Sequence, residues 1–200
     1  MKNEHYFSEK QESVFRINSI EILLRGSTFK FDTVSGVFSV GRVDKGSYLL
    51  IEKCIVEDGW RVLDLGCGYG VTGIAIAKVF DCEVVLTDVN KRAAYISKKN
   101  AKKNNVEVSV LRGDMYEKID GLFDTILFNP PQHAGKKLCM EMIEKAKDYL
   151  KKKGLLQVVA RHNKGGKSFA LKMEEIFGNI KDIAKKGGYR IYVSEKKWRY

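Results

Sequence analysis

Proline is almost absent from this chain, and the two it has are adjacent: Pro130 and Pro131, in "ILFNPPQHAG" (126–135), directly behind an apolar run. All other turns are made without proline, so ending a strand does not by itself account for a pair. Cysteine and histidine are also sparse. Cys54, Cys67, Cys82 and Cys139 are widely spaced without a C-x-x-C pair, and His5, His133 and His162 are scattered among them. That spacing argues against a zinc site and for reduced thiols in a cytoplasm; no metal is expected. No stretch approaches the roughly 18 uninterrupted apolar residues of a membrane helix, and the first residues mix charges with aromatics. The expectation is a soluble, unexported, cytoplasmic protein with no membrane partner. Internal repeats, low-complexity tracts and long linkers are missing as well. With 44% hydrophobic residues in 200, one compact domain can fill a core.

Acidic residues are in deficit. Lys and Arg number 36 against 25 Asp and Glu, a net charge of +11, which suits a polyanionic partner such as nucleic acid. Solvated lysine surfaces give the same total. The aromatics interleaved with basic residues in "YRIYVSEKKWRY" (189–200) fit RNA contact and equally fit a final strand packed inward.

Residues 1–45 have short β-prone runs broken by Gly and Asp, which predict hairpins in an N-terminal extension or lid packed on the core; residues 46–200 form the main domain. From residue 60 onward, apolar runs alternate with helical segments, the pattern of βαβ units. Strands are predicted at 61–65, 83–88, 106–111, 123–128, 154–160, 179–185 and 189–195, and helices near 71–80, 91–104, 136–151 and 167–177. Gly187 and Gly188 form a tight turn that reverses the last strand. The fold class is therefore α/β: a Rossmann-like, seven-stranded, mainly parallel sheet with helices on both faces and an antiparallel last strand.

"VLDLGCGYGVTG" (62–73) is a strand running through glycines into a helix, a place where free amides and the helix dipole meet a ligand. Gly68, Gly70 and Gly73 satisfy the dinucleotide pattern, and Asp88 ends the next strand at the spacing that binds a ribose. Asp64 argues the other way, since a carboxylate at the strand end repels a pyrophosphate; a cofactor bearing an amino group tolerates or uses it. "GGKS" (165–168) lacks the earlier glycine of a nucleotide-triphosphate loop, because position 161 is Arg.

"DLGCGYG", "LTDVN" and "GDMY" resemble the first three cofactor motifs of the class I S-adenosylmethionine-dependent methyltransferases. The resemblance implies S-adenosyl-L-methionine as cofactor. It assigns cofactor contacts to Asp64, Gly66, Cys67, Gly68, Gly70, Asp88, Val89, Asn90, Asp114, Met115 and Asn129. Cys67 reads from its surroundings as a small space-filler, not a reactive thiol.

Two prolines in succession fix φ twice and bias Asn129 towards an extended conformation, making a stiff corner at the carboxyl end of a central strand. The chemistry suited to such a corner is methylation of an amine whose lone pair is delocalised. The Asn129 side-chain oxygen and the Pro130 carbonyl accept the amine protons and aim the lone pair at the methyl group. "NPPQ" resembles the (Asn/Asp)-Pro-Pro-aromatic motif of amino-methyltransferases, with Asn129, Pro130, Pro131 and Gln132 as catalytic residues; Gln132 stands where an aromatic usually stacks on the base. "GVFSVGRVDKGSYLL" (36–50), "NPPQHAGK" and "RHNKGGKSF" further resemble the single-domain archaeal relatives of the small-subunit ribosomal RNA guanine-N2 methyltransferases. This implies methylation of a guanine exocyclic amine in rRNA or tRNA. Phe38 and Asp44 are then placed at the substrate, Asp44 alternatively capping a helix that begins near Gly46. Arg161, Lys164 and Lys167 meet RNA phosphates or remain surface lysines and arginine. Methylation of a protein glutamine amide uses the same corner and stays open, as does an RNA-binding assembly factor without activity. The oligomeric state is monomer or homodimer.

Overall fold

The computed structural model describes residues 16–37, 39–131 and 135–197. An antiparallel hairpin, β1 (Ile17–Leu24) and β2 (Ser27–Val34), precedes helix α1 (Lys45–Lys53). Then follow β3 (Arg61–Leu65), α2 (Val71–Val79), β4 (Glu83–Asp88), α3 (Lys91–Lys103), β5 (Ser109–Arg112) and β6 (Phe123–Phe128). The chain continues through α4 (Lys136–Ala146), β7 (Leu150–Arg161), α5 (Lys167–Phe177), β8 (Lys181–Lys186) and β9 (Tyr189–Glu195). The large sheet has seven strands in the order β5-β4-β3-β6-β7-β9-β8. Strand β9 alone runs against its neighbours, pairing antiparallel with both β7 and β8.

Both faces of the sheet are buried, and side chains alternate between them with the two-residue period of a strand. Val62, Leu86, Leu127, Val159 and Ile191 point to the side of α1, α2 and α3; Leu63, Val85, Ile126, Val158 and Tyr192 point to α4 and α5. The strand order reverses between β3 and β6, so the loops leaving their carboxyl ends diverge and leave a crevice there.

The hairpin is stitched to the core rather than resting on it. Phe29, Phe31 and Val34 of β2 are fully buried in the cluster of α1–α3. Two asparagines one turn apart, Asn100 on α3 and Asn104 capping its end, treat β2 as a neighbouring strand. Asn100 accepts from Asp32 N at 2.8 Å and donates to Asp32 O at 2.9 Å; Asn104 accepts from Lys30 N at 3.0 Å and donates to Lys30 O at 2.8 Å. Lys103 adds an ion pair to Asp32. Unpaired, each of the buried Asp32 backbone groups costs about 1–3 kcal/mol.

Several element boundaries differ from expectation. Helix α4 stops at Ala146 instead of continuing to 151, because Leu150 is fully buried and already pairs with Phe123; β7 thus starts four residues early, with a bulge around Lys153 at φ 62°. Strand β5 starts at Ser109, since Val106 N closes the end of α3 by bonding Ala101 O. At Asn179 the side chain takes the place of ladder pairing: it donates to Glu195 O and accepts from Glu195 N, so β8 begins at Lys181.

Candidate active site

The carboxyl ends of β4, β3, β6 and β7 lie side by side, which gathers Asp88, Gly66, Asn129 and Arg161 along one rim of the sheet. Three contiguous cavities follow this rim. The first, of about 340 Å³, is lined by Leu65, Gly66, Thr87, Asp88, Val89, Gly113, Asp114, Met115, Pro131, Leu138 and Met142. The second is a recess of about 30 Å³ between Asp44, Ser47, Asp64, Cys67, Gly68, Thr72 and Asn129. The third, about 240 Å³, lies between the proline corner and the ends of β7 and α5, with Lys136, Cys139, Ala160, Arg161, Lys164, Phe169 and Tyr189 in its walls. Pro131 borders all three, and Asn129 and Pro130 border the last two.

Gly66, Gly68 and Gly70 of the glycine loop all have positive φ, and the first and last have it for different reasons. A Cβ on Gly66 (φ 69°) meets nothing within 4 Å, so this backbone borders open space at the first cavity. A Cβ on Gly70 (φ 86°) lands 2.8 Å from Ile74 Cδ1, 3.1 Å from Leu86 Cδ2 and 3.1 Å from Ser97 Cβ. Gly70 therefore serves helix packing and borders none of the three cavities, although the sequence pattern groups it with Gly66 and Gly68.

Asp88 is 5% exposed and organises this loop: one oxygen accepts from Gly68 N at 2.9 Å, the other from Asn90 N at 2.8 Å. Asp88 lines the first cavity, and a carboxylate oxygen accepts more than one bond, which is the chemistry that suits a vicinal diol. Asn90, by contrast, is fully buried, caps α3 by accepting from Arg92 N, and donates to Gly36 O at 3.0 Å. Its side chain works in the fold rather than at the cavity. Asp114 and Met115 do reach the cavity, Met115 with a left-handed backbone at φ 45°.

Asp64 is buried and accepts from Gly73 N at 2.9 Å. Burial, then the nearby Asp88 charge, push its carboxyl up to about 7 against the relief from that amide. A cationic group entering the recess is the natural partner for it. Burial likewise pushes the Cys67 thiol far up, so Cys67 is a filler and not a nucleophile.

At the proline corner, the Asn129 amide nitrogen donates to Ser47 Oγ at 2.9 Å and to Asp44 Oδ1 at 3.3 Å. Asp44 also caps α1, accepting from Gly46 N and Ser47 N, as one of the two readings anticipated, and it borders the recess. Arg161 and Lys164 line the third cavity, and the Arg161 guanidinium lies 5.4 Å from the centroid of the Tyr189 ring. Lys167 is exposed at the start of α5 and does not line it. Phe38 and Gln132 lie outside the described residues. Ser47, Phe169 and Tyr189 were not singled out from sequence, although each lies in a stretch that was: "GVFSVGRVDKGSYLL", "RHNKGGKSF" and "YRIYVSEKKWRY". Among the described residues, no group of three His, Cys, Asp or Glu is placed to hold a metal, and no helix is long and apolar enough to cross a membrane.

With this geometry in place, the family described as Methyltransferase small domain matches residues 28–193. The chain belongs to that family. It is 39% identical over 201 residues to the YbxB protein of Bacillus subtilis (strain 168), described as uncharacterized, covering 97% of this chain and 99% of that one. It is 32% identical over 193 residues to the Ribosomal RNA small subunit methyltransferase C of Hamiltonella defensa (subsp. Acyrthosiphon pisum, strain 5AT), covering 94% of this chain and 56% of that protein. Among solved structures, the 16S rRNA N2 G1207 methyltransferase RsmC of T. thermophilus, in complex with AdoMet and guanosine, superposes with a TM-score of 0.82 at 27% identity. That match covers 92% of this chain and 51% of that one, so the chain spans about half the length of the relatives whose activity is named. The fold of this family member is that of the class I S-adenosylmethionine-dependent methyltransferases.

Proposed function

We propose that this member of the family transfers a methyl group from S-adenosylmethionine to the exocyclic amine of a guanine in RNA, with ribosomal RNA as the substrate class. The observation that carries this reading is the proline corner shared by the cavities. Asn129 and Pro130 separate the recess beside Asp64 from the cavity beside Arg161 and Tyr189, so an acceptor group and a donor group meet at one acceptor-rich point. The first cavity and the recess suit the cofactor on their own chemistry: an open glycine approach at Gly66, a diol acceptor in Asp88, and a buried carboxyl in Asp64 for an amino group. Bound there, S-adenosylmethionine supplies an electrophilic methyl group that needs no activation.

The work of the chain is then to hold the acceptor. A guanine amine is a weak nucleophile because its lone pair is delocalised into the ring. Asn129 Oδ1 and the Pro130 carbonyl accept hydrogen bonds from its two N–H groups, turn the lone pair out of conjugation, and stabilise the positive charge that develops on nitrogen; as the N–C bond forms the S–C bond breaks, the thioether S-adenosylhomocysteine leaves, and the methylated amine gives up one proton to water. Phe169 and Tyr189 offer the apolar and aromatic surface for the base, and Arg161 and Lys164 stand where flanking phosphates pass. The net charge of +11 supports an RNA acceptor over a protein one.

The test is direct. Purified protein, tritiated S-adenosylmethionine and unmodified in vitro-transcribed small-subunit rRNA are incubated, and the RNA is digested to nucleosides. Label in N2-methylguanosine is the expected result. Label in another nucleoside moves the target atom, and label only in added ribosomal protein overturns the RNA reading.

A further inference from the structure

An asparagine amide has an oxygen face and a nitrogen face, and methyl transfer at the corner requires the oxygen at the amine. Local backbone does not decide which face is presented. In this structure both hydrogens of Asn129 Nδ2 are taken by the start of α1: Ser47 Oγ at 2.9 Å and Asp44 Oδ1 at 3.3 Å. We propose that Asp44 and Ser47 are positioning residues that fix the Asn129 amide with its oxygen towards the acceptor amine; this rests on the role given to Asn129 above.

The physical basis is the one-way chemistry of a carboxylate. A carboxylate oxygen accepts, so an inverted amide sets the Asn129 oxygen against another acceptor and leaves its hydrogens without these partners. Asp44 is held in turn by its cap, with Oδ1 accepting from Gly46 N at 2.9 Å and Ser47 N at 3.0 Å. Ser47 is 6% exposed, shielded from water that would otherwise compete for the amide. Gly46 lets the turn approach: a Cβ there lies 3.0 Å from Asp44 Oδ1, 3.1 Å from Tyr189 Cε1 and 3.2 Å from Asn129 Oδ1. The segment "DKGS" (44–47) is thus a docking turn for a residue more than eighty positions later.

Asp44 Oδ1 serves both the cap and Asn129; an Asn at residue 44 can still cap α1 through its oxygen while removing the carboxylate charge beside residue 129. The experiment measures single-turnover methyl transfer from labelled S-adenosylmethionine to unmodified in vitro-transcribed small-subunit rRNA. The proteins are wild type, S47A, N129D, and N129D combined with D44N, with S-adenosylhomocysteine affinity and Tm measured for each. S47A and N129D are expected to slow transfer by about tenfold or more at unchanged cofactor affinity. In N129D two carboxylates face each other; adding D44N removes that charge opposition while its oxygen keeps the cap, and most of the lost rate returns. A double variant no faster than N129D, or S47A at the wild-type rate, overturns the positioning role. If S47A does not fold, the 44/129 exchange alone carries the test. N129A sorts the two levels: an inactive N129A without coupling between 44 and 129 overturns only this inference, and a fully active N129A overturns the proposed function itself.

Discussion

The proposed cofactor side and the proposed base side of this rim are built differently. On the cofactor side, Asp64, Gly66, Gly68 and Asp88 come from two adjacent strands and the turns that leave them, within about one βαβ unit, and hold one another through backbone amides. On the proposed base side, Asn129, Arg161, Phe169 and Tyr189 come from four separate segments, Asp44 joins them from a fifth through Asn129, and they meet only when the sheet is complete. A site made of local backbone is robust and generic; a site made of distant side chains is where substrate choice resides.

The largest effect that sharpens this contrast is inside the glycine loop. Gly70→Ala places its methyl against Ile74, Leu86 and Ser97 at a positive φ, so it is expected to cost about 2–4 kcal/mol of stability, read by denaturant unfolding. Gly66→Ala faces open space and loses only about 1–2 kcal/mol from strain, yet is expected to weaken S-adenosylhomocysteine binding by about tenfold or more, read by calorimetry. If both variants behave alike, the division of the loop into a packing glycine and a ligand glycine is wrong.

The same division explains what was legible beforehand. The strands, the helices on both faces and the reversed β9 follow from apolar periodicity and one glycine-glycine turn, all local signals. Asp64, Asp88 and the proline corner were legible because strand ends carry them into a crevice fixed by topology. Ser47 and Tyr189 were not, since nothing in their local sequence says that they meet Asn129 or Arg161. Asn90 shows the reverse failure: its place beside Asp88 suggested a ligand contact, whereas a helix start and the carbonyl of Gly36 use its side chain. The asparagines of α3 and its cap were equally silent, because a buried amide that imitates a strand edge has no sequence pattern of its own.

A smaller effect separates the two sides by pH. Burial raises the Asp64 carboxyl from 3.8 to about 7. A raised carboxyl favours the folded state at low pH, and that contribution declines as pH rises from about 4 through about 7. Affinity for a ligand ammonium runs the other way, rising as Asp64 ionises. S-adenosylhomocysteine is expected to bind up to about tenfold tighter at about pH 8 than at about pH 6, and Asp64→Asn to flatten that dependence. RNA affinity is not expected to share this dependence on Asp64.

The smallest effect belongs to the base side. Arg161→Ala is expected to weaken RNA binding a few-fold and to reduce the log–log salt slope by about 0.7–0.9, the signature of one lost phosphate contact, with S-adenosylhomocysteine affinity unchanged. An unaltered slope with weaker binding assigns Arg161 to the Tyr189 stack instead.

The central claim is that Asn129 acts on the acceptor amine and not on the donor. It is tested most directly by the single-turnover transfer rate of Asn129→Ala to unmodified small-subunit rRNA, with S-adenosylhomocysteine and RNA affinities measured on the same protein. The account predicts a rate lower by about 100-fold or more, with both affinities within about twofold of wild type. A wild-type rate, or a loss that tracks weakened cofactor binding, contradicts it.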